Sequence, residues 1–436
     1  MKHHILRTYL ALRWQGVWRD RPQLEAWQRR QLRALQAFLG QHSPYYRQLL
    51  AQGYDIDSFP VITKTEFMAH FNQINSAGLD REEALALAWR SEQEQDISPT
   101  LHGYAVGLST GTSGNRGLFV VSERERAEWV AMVLHRVLRP RLFERQRIAF
   151  ILRANNPLYE SVQSRLFQFR YYQLPDSLVE FVAELHDYQP QVLAGQPSVL
   201  RQLAEAQLTG RLHLRLRQVI SYAEVLEPDD RARIEQAFGL MVSEVYQCTE
   251  GFLGATCAHG TLHLNEDVVR IERAYMDQQR FQPIVTDLRR RSQPVVRYRL
   301  NDLLVEADQP CPCGSVRLPL ARIEGRMDEV LRLRGKQGQW RAVYPDWIRR
   351  SIVASQSGVQ EYRVCQTGPQ QLTVSLDCPS DQFFVLSQQV KAALQARFDQ
   401  NALAPVDLIL EQGVPLQAGI KRRRIVRTWT GGGEAE

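Results

Sequence analysis

The sequence predicts an α/β protein, with a large N-terminal domain of mixed or parallel sheets flanked by helices and a small α+β domain after it. Three observations predict this. The chain has 436 residues, more than one hydrophobic core usually serves. Between residues 147 and 246 strand-like and helix-like segments alternate, which implies a largely parallel sheet. After about residue 325 the pattern changes to short alternating strands and isolated helices, so the domains are read as 1–325 and 326–436.

Taken in order, residues 20–50, rich in Leu, Gln and Arg, read as helical and end at Ser43-Pro44-Tyr45-Tyr46. Residues 76–100 are polar and read as a helix plus loop. Leu108-Ser109-Thr110-Gly111-Thr112-Ser113-Gly114-Asn115-Arg116-Gly117 packs hydroxyls and glycines into one turn ahead of a strand, Leu118-Phe119-Val120-Val121. Glycine admits close backbone approach, and exposed N–H groups with Ser/Thr hydroxyls suit phosphate oxygens. No Gly-Lys-Ser/Thr closes the turn, so it is not a Walker loop, and by itself it reads equally as a polar hairpin. Residues 122–138 have a helical pattern. Strands are read at 147–152, 191–195, 217–222 and 241–246, with helices near 197–208 and 227–238. Beyond residue 325 the clearest elements are a strand at 329–333 and a helix at 381–398, and the Gly431-Gly432-Gly433 tail reads as flexible.

Composition is that of a globular protein, with 23% charged and 44% hydrophobic residues. The net charge of +6 is modest. Arg289-Arg290-Arg291 and Arg422-Arg423-Arg424 lack interleaved aromatics, so the excess reads as mild attraction to anionic ligands, with no nucleic-acid partner expected. The apolar stretch 5–14 is broken by Arg7 and Arg13, too short to span a bilayer and too charged for a signal peptide. A soluble, cytoplasmic protein with no membrane partner is therefore expected. Six cysteines in so long a chain do not make a disulfide framework.

Several constellations follow one another in a fixed order. Ser221-Tyr222-Ala223-Glu224 ends one strand and Tyr246-Gln247-Cys248-Thr249-Glu250 the next. Val296-Arg297-Tyr298-Arg299-Leu300-Asn301-Asp302 reads as a strand with a late acid. Ile323-Glu324-Gly325-Arg326-Met327-Asp328-Glu329 precedes the domain change, and Lys421 lies in a basic stretch near the C-terminus. Ligands of open α/β sheets sit at the C-terminal ends of strands, where the first three of these are read.

On these motifs the chain resembles the adenylate-forming superfamily, in particular its phenylacetate–coenzyme A ligase branch, from about Ser43 to Arg424. Phe59-Pro60-Val61-Ile62-Thr63-Lys64 and Ala194-Gly195-Gln196-Pro197-Ser198-Val199-Leu200 are similar to that branch as well. The resemblance implies that Ser109, Thr110, Gly111, Thr112, Ser113 and Gly114 hold the β- and γ-phosphates of ATP. It implies that Ala223 and Glu224 lie along the adenine, that Tyr246 stacks on it, that Thr249 bonds the α-phosphate and that Glu250 holds Mg²⁺. Asp302 is expected on the ribose hydroxyls, Arg326 near ribose and phosphate, Asp328 at the hinge of a rotating small domain, and Lys421 between carboxylate and α-phosphate. The chain departs from the pattern at Gly117, where many relatives carry lysine, with Arg116 a partial replacement for that charge. It departs again at Gly419-Ile420-Lys421, where the usual pair is Gly-Lys.

Cys311-Pro312-Cys313 is a zinc half-site, and Cys257 with one imidazole, His259 or His263, completes a tetrahedral structural set. The alternative is plain buried or free thiols. Members of the ligase branch resemble this arrangement with a histidine six positions after the cysteine, which favours His263.

The function so implied is ATP-dependent activation of a carboxylic acid, aryl or small acyl, followed by transfer to a thiol, with coenzyme A the first candidate acceptor. A carrier-protein thiol or an amine is the alternative within that mechanism, and a second copy of the chain, in a homodimer, is a further expected partner. A different class is a degenerate nucleotide-binding or interaction protein of the same fold.

Overall fold

The computed structural model describes residues 1–14, 18–94, 99–109, 116–138, 146–152, 167–173, 178–355, 358–359, 361–414 and 423–429. The chain divides into two compact units, Met1–Leu300 with Leu304–Ile323, and Asn301–Leu303 with Glu324–Glu436. The expected split at 325 differs from this by two residues and by the short piece Asn301–Leu303.

In the large unit, β1 (Thr100–Leu101), β2 (Tyr104–Leu108) and β3 (Leu118–Val121) form a small antiparallel sheet. Its Leu118 and Val120 pack with Phe71, Leu79, Ala84 and Ala88, partly on the helix Arg81–Gln93. Gly107 in β2 is required by close approach, since a Cβ there would stand 2.4 Å from the Phe119 ring.

The main sheet contains β4 (Gln146–Leu152), β5 (Phe167–Gln173), β6 (Val192–Gly195), β7 (Gln218–Tyr222), β8 (Val242–Cys248), β9 (Gly251–Thr256), β10 (Leu262–Leu264), β11 (Val269–Tyr275), β12 (Arg280–Asp287), β13 (Tyr298–Arg299), β14 (Asp302–Glu306) and β15 (Pro319–Arg326). Its order is β11-β12-β14-β15-β10-β9-β8-β7-β6-β4-β5, with β13 beside β12. The run β8-β7-β6-β4-β5 is parallel. From the β8–β9 pair onward the recorded pairings are antiparallel. The sheet is therefore mixed, and the sequence pattern captured four of its five parallel strands, missing β5, because buried parallel strands need continuous apolar runs and crossover helices. Two of the crossover helices begin with proline at the first turn, Pro197–Leu208 and Pro228–Phe238, and the second of these ends on Gly239 at φ 63°. Arg201 and Asp230 tie them together at 2.8 Å.

Two readings change. The helical stretch 20–50 is two helices, Arg21–His42 and Pro44–Ala51. Proline disfavours helical backbone in the residue before it, and Ser43 stands extended at φ −119°, donating through its hydroxyl to the Ile74 carbonyl at 2.9 Å. The strand read at 296–302 shrinks to Tyr298–Arg299, because Arg297 takes φ 46°. Its guanidinium is held by Glu272 at 2.8 Å and by the Phe59 carbonyl. Asp302 consequently opens β14 instead of ending a strand.

The small unit holds the hairpin of β16 (Leu331–Arg334) and β17 (Trp340–Val343) and a four-stranded sheet. The latter consists of β18 (Glu361–Gly368), β19 (Gln371–Asp377), β20 (Asp407–Gln412) and β21 (Ile425–Arg427), in the order β20-β19-β18-β21. Ile348 and Ile352 of the helix Pro345–Ser355 and Leu386, Val390, Leu394 and Phe398 of the helix Phe383–Gln400 close its core. The strand read at 329–333 begins later, since Met327–Glu329 is a single 3₁₀ turn. Among the described residues, no helix is long and apolar enough to cross a membrane.

Candidate functional site

The glycine-rich segment closes the β2–β3 hairpin. Leu108 pairs with Leu118, the Ser109 N–H donates to the Gly117 carbonyl at 2.7 Å, and the Gly117 N–H donates to Ser109 Oγ at 2.8 Å. Thr110, Gly111, Thr112, Ser113 and Gly114 lie outside the described residues. Arg116 already has partners of its own. Its guanidinium grips Glu92 through two bonds of 2.6 and 2.9 Å, donates to the Ser109 carbonyl at 3.1 Å and lies over the Trp89 ring. A cation already fixed by a bidentate carboxylate has little left to offer a phosphate.

Thr249 and Glu250 form the turn between β8 and β9, where Thr249 Oγ1 donates to Glu250 Oε2 at 2.9 Å. One cavity is lined by this turn together with Lys64, Gly117, Arg290 and Gln293. Arg290 is only 7% exposed; it donates to the Thr249 carbonyl, to Val120 O at 3.2 Å and to Gln293 Oε1 at 2.8 Å. Gln293 in turn bonds the backbone of β3 twice along one edge, accepting from the Val120 N–H at 2.9 Å and donating to the Leu118 carbonyl at 3.0 Å. The segment 290–293 thus fixes the strand that leaves the glycine-rich turn against the turn that carries Thr249 and Glu250.

Glu125 anchors that segment. It closes the capping box of the helix Glu123–Val133 with Ser122 and accepts from the N–H groups of Arg291 and Ser292 at 2.6 and 2.9 Å. Burial works to raise the Glu125 carboxyl, and the bonds from Ser292, Ser122 and Arg291 outweigh it and hold it below the usual range.

The other expected residues divide. Ala223 follows β7 at φ 69°, a sparsely populated conformation for a residue with a Cβ. Glu224 accepts from the Ser198 N–H at 3.4 Å. Tyr246, on the neighbouring strand, is only 6% exposed and belongs to the largest core. Phe150, Tyr171 and Phe169 continue from Tyr222 as a half-buried aromatic row, with Phe150 stacked on Tyr222 at 4.9 Å. Asp302, Arg326 and Asp328 fall in the small unit. There Asp328 accepts from Asn301 Nδ2 at 2.9 Å and pairs with Arg423 at 2.7 Å. Lys421 lies outside the described residues.

Cys257, His263, Cys311 and Cys313 converge, their ligand atoms all within 4.8 Å of one another. Cys257 Sγ is 3.6 Å from Cys311 Sγ, and Cys313 Sγ is 3.4 Å from His263 Nε2. Sulfurs about 2.3 Å from one tetrahedral zinc would stand roughly 3.8 Å apart, close to this spacing. His263 is fully buried, and its Nδ1 lies 2.9 Å from the Arg317 carbonyl, which sets the ring so that Nε2 faces the sulfurs. Burial opposes ionisation of Cys311, yet Thr261, the Cys313 amide and His263 bring its thiol down to about 6, while burial pushes the Cys313 thiol up to about 11. His259 is absent from the set; its N–H only donates to Cys257 Sγ at 3.3 Å.

Two cations went unassigned from the sequence. Lys64 was visible only as part of a motif, and Arg290 only as one of three arginines. The available signal was local: Thr63 with Glu66 spells a capping box, which places Lys64 at the first position of the helix Lys64–Ala69.

No family model matches the chain. Over 239 residues it is 23% identical to protein CapK of Staphylococcus aureus, covering 54% of this chain and 47% of that one. Over 202 residues it is 23% identical to the phenylacetate-coenzyme A ligase of Thermus thermophilus, covering 41% of this chain and 43% of that one. The chain thus spans under half the length of these curated relatives. Among solved structures, 2-hydroxyisobutyryl-CoA ligase in its postadenylation state with 2-HIB-AMP superposes with a TM-score of 0.67 at 19% identity, over 91% of this chain and 88% of that one. An open conformation of that ligase with 2-HIB-AMP and CoA gives 0.59 at 17% identity, over 91% and 90%. The expected architecture is the observed one: the chain has the fold of the acid–CoA ligases and acyl-adenylate ligases.

Proposed function

We propose that the chain is an ATP-dependent acid–thiol ligase. The observation that carries this reading is one cavity lined by the base of the glycine-rich turn, the Thr249–Glu250 turn and two cations, Lys64 and Arg290. These groups come from distant parts of the sequence, and oxyanion-binding and Mg²⁺-binding chemistry is what they share. The solved ligase of the same fold holds an acyl-adenylate in one structure and CoA beside it in another.

In the proposed reaction a carboxylate oxygen attacks the α-phosphorus of ATP, the bond to the bridging oxygen breaks, and pyrophosphate leaves. Thr249 would bond the α-phosphate and Glu250 would hold Mg²⁺, which would supply positive charge to offset that of the phosphates. Ala223 and Glu224 flank the adenine beside Tyr246, which the core holds rigid. Asp302 takes the ribose hydroxyls and Arg326 lies near the ribose and phosphate. The small domain then rotates about Asp328 and carries Lys421 away. A thiol, coenzyme A before a carrier protein, attacks the acyl carbon, loses its proton and displaces AMP. The row Phe169, Tyr171, Phe150 and Tyr222 supports a flat aryl acid as substrate.

Zinc fits the Cys257–His263–Cys311–Cys313 cluster as a closed structural ion with no open position for chemistry. It would pin the loop ahead of β15.

A pyrophosphate-release screen over aryl and alkyl acids tests the reading. Acid-dependent release, with aryl acids ahead, is expected. Nucleotide binding with no release for any acid would overturn it in favour of a degenerate binding protein.

A further inference from the structure

Gly117 raises a question of charge. This residue brings no side chain to the turn, and the neighbouring Arg116 is held by Glu92. An anion of high charge still needs a cation at this turn.

The structure brings one from another element. Lys64 reaches the base of the hairpin from 45 positions upstream, and its Nζ stands 3.3 Å from Ser109 Oγ. A Cβ added to Gly117 would lie 3.1 Å from Lys64 Cε and 3.9 Å from Lys64 Nζ. The ammonium therefore occupies the space into which a side chain at 117 would project. The same cavity is lined by Thr249, Glu250 and Arg290, so the ammonium faces the oxyanion end of the site. Arg290 adds a second positive wall: it is buried, and its Nε has no hydrogen-bond partner among the described residues.

We propose that Lys64 is the polyphosphate-binding residue of this protein, supplying to the β- and γ-phosphates of ATP the charge that position 117 lacks. This rests on the acid-activation reading. It places the missing charge on the helix Lys64–Ala69, outside the glycine-rich turn. It also accounts for glycine at 117, since any side chain there would crowd the Lys64 stem.

The test compares nucleotides that differ only in the phosphates concerned, by calorimetric titration of the full chain with MgATP and with AMP. Lys64→Met is expected to weaken MgATP binding by about tenfold or more, as removal of a charge-assisted contact does. AMP binding should stay near that of the unaltered chain. The double variant Lys64→Ala/Gly117→Lys should recover most MgATP affinity, because the Gly117 backbone lies outside the left-handed region and the stem that crowds it is gone. Melting temperatures of the variants report whether each is folded. Unchanged MgATP affinity in Lys64→Met, an equal loss for ATP and AMP, or no recovery in a folded double variant each overturns the assignment of Lys64 alone. A wild-type chain that binds neither nucleotide overturns the acid-activation reading beneath it.

Discussion

Glu250 and Asp302 are two half-buried carboxylates placed very differently in the chain. Glu250 shares a tight turn with Thr249, whose hydroxyl it accepts, so its orientation is set by the chain itself. Asp302 opens β14 just ahead of the buried Leu303, Leu304 and Val305. Each is assigned a contact that strengthens as charge develops on the phosphates or fixes the ribose for in-line attack. Glu250→Gln and Asp302→Ala are therefore expected to cost about 2–4 kcal/mol of transition-state stabilisation in pyrophosphate exchange. The fold should stay intact. Near-wild-type exchange in both variants would sink the two assignments together.

At the scale of elements, the segment 290–293 holds the site's walls together, and it is itself held by Glu125. The Glu125 carboxyl is depressed in the folded state, so its contribution is fully present above the ordinary carboxyl pKa and is lost as pH falls through the folded value. Glu125→Gln should lower stability at neutral pH by about 1–3 kcal/mol, the usual consequence of leaving buried N–H groups poorly paired. It should also flatten the loss of stability on acidification, because the variant carries nothing to protonate at that point. Denaturant titrations of both proteins between neutral and acid pH read this directly. Parallel pH profiles would show that Glu125 does not act through its charge.

The cysteine–histidine cluster acts on another element, the loop between β14 and β15. One zinc per chain is expected on metal analysis of protein purified without added metal. Cys311→Ser should lower the melting temperature, because a structural ion contributes its binding free energy to folding. A stoichiometry near zero, or an unchanged melting temperature, would assign the cluster to plain buried thiols.

On the scale of the whole molecule, the two compact units suit a reaction of two half-steps. Lys421 is expected to serve only the first. Lys421→Ala should slow pyrophosphate formation by about two orders of magnitude, as loss of a charge-stabilising group does, yet transfer the acyl group normally from a preformed adenylate. Asp328→Pro should show the opposite bias, because proline fixes φ where a hinge must change it. Asp328→Ala serves as its control, since it removes the contacts to Arg423 and Asn301 without fixing the backbone. Equal impairment of both steps in Lys421→Ala would exclude a rotating-domain mechanism.

By itself the sequence determined what local pattern can determine. The continuous apolar runs of β4, β6 and β7 and the proline-started helices between strands located four of the five parallel strands, β4, β6, β7 and β8, to within two residues, whereas β5, with its interleaved Gln168 and Arg170, carries no such run and was missed. The order of motifs indicated the adenylate-forming architecture that the superposition shows. The convergence of Cys257, His263, Cys311 and Cys313 was legible because cysteine and histidine are scarce and their spacing is informative. Tertiary structure alone decided the rest. Arg297 at positive φ moved Asp302 to the start of a strand, and no periodicity announces one residue's left-handed turn. Tyr246 went into the core because its side of β8 faces apolar neighbours. Arg116 was lost to Glu92, and Lys64 and Arg290 were brought to Gly117 and Thr249. Which cation meets which anion depends on distances between segments far apart in the chain, and only packing sets those distances.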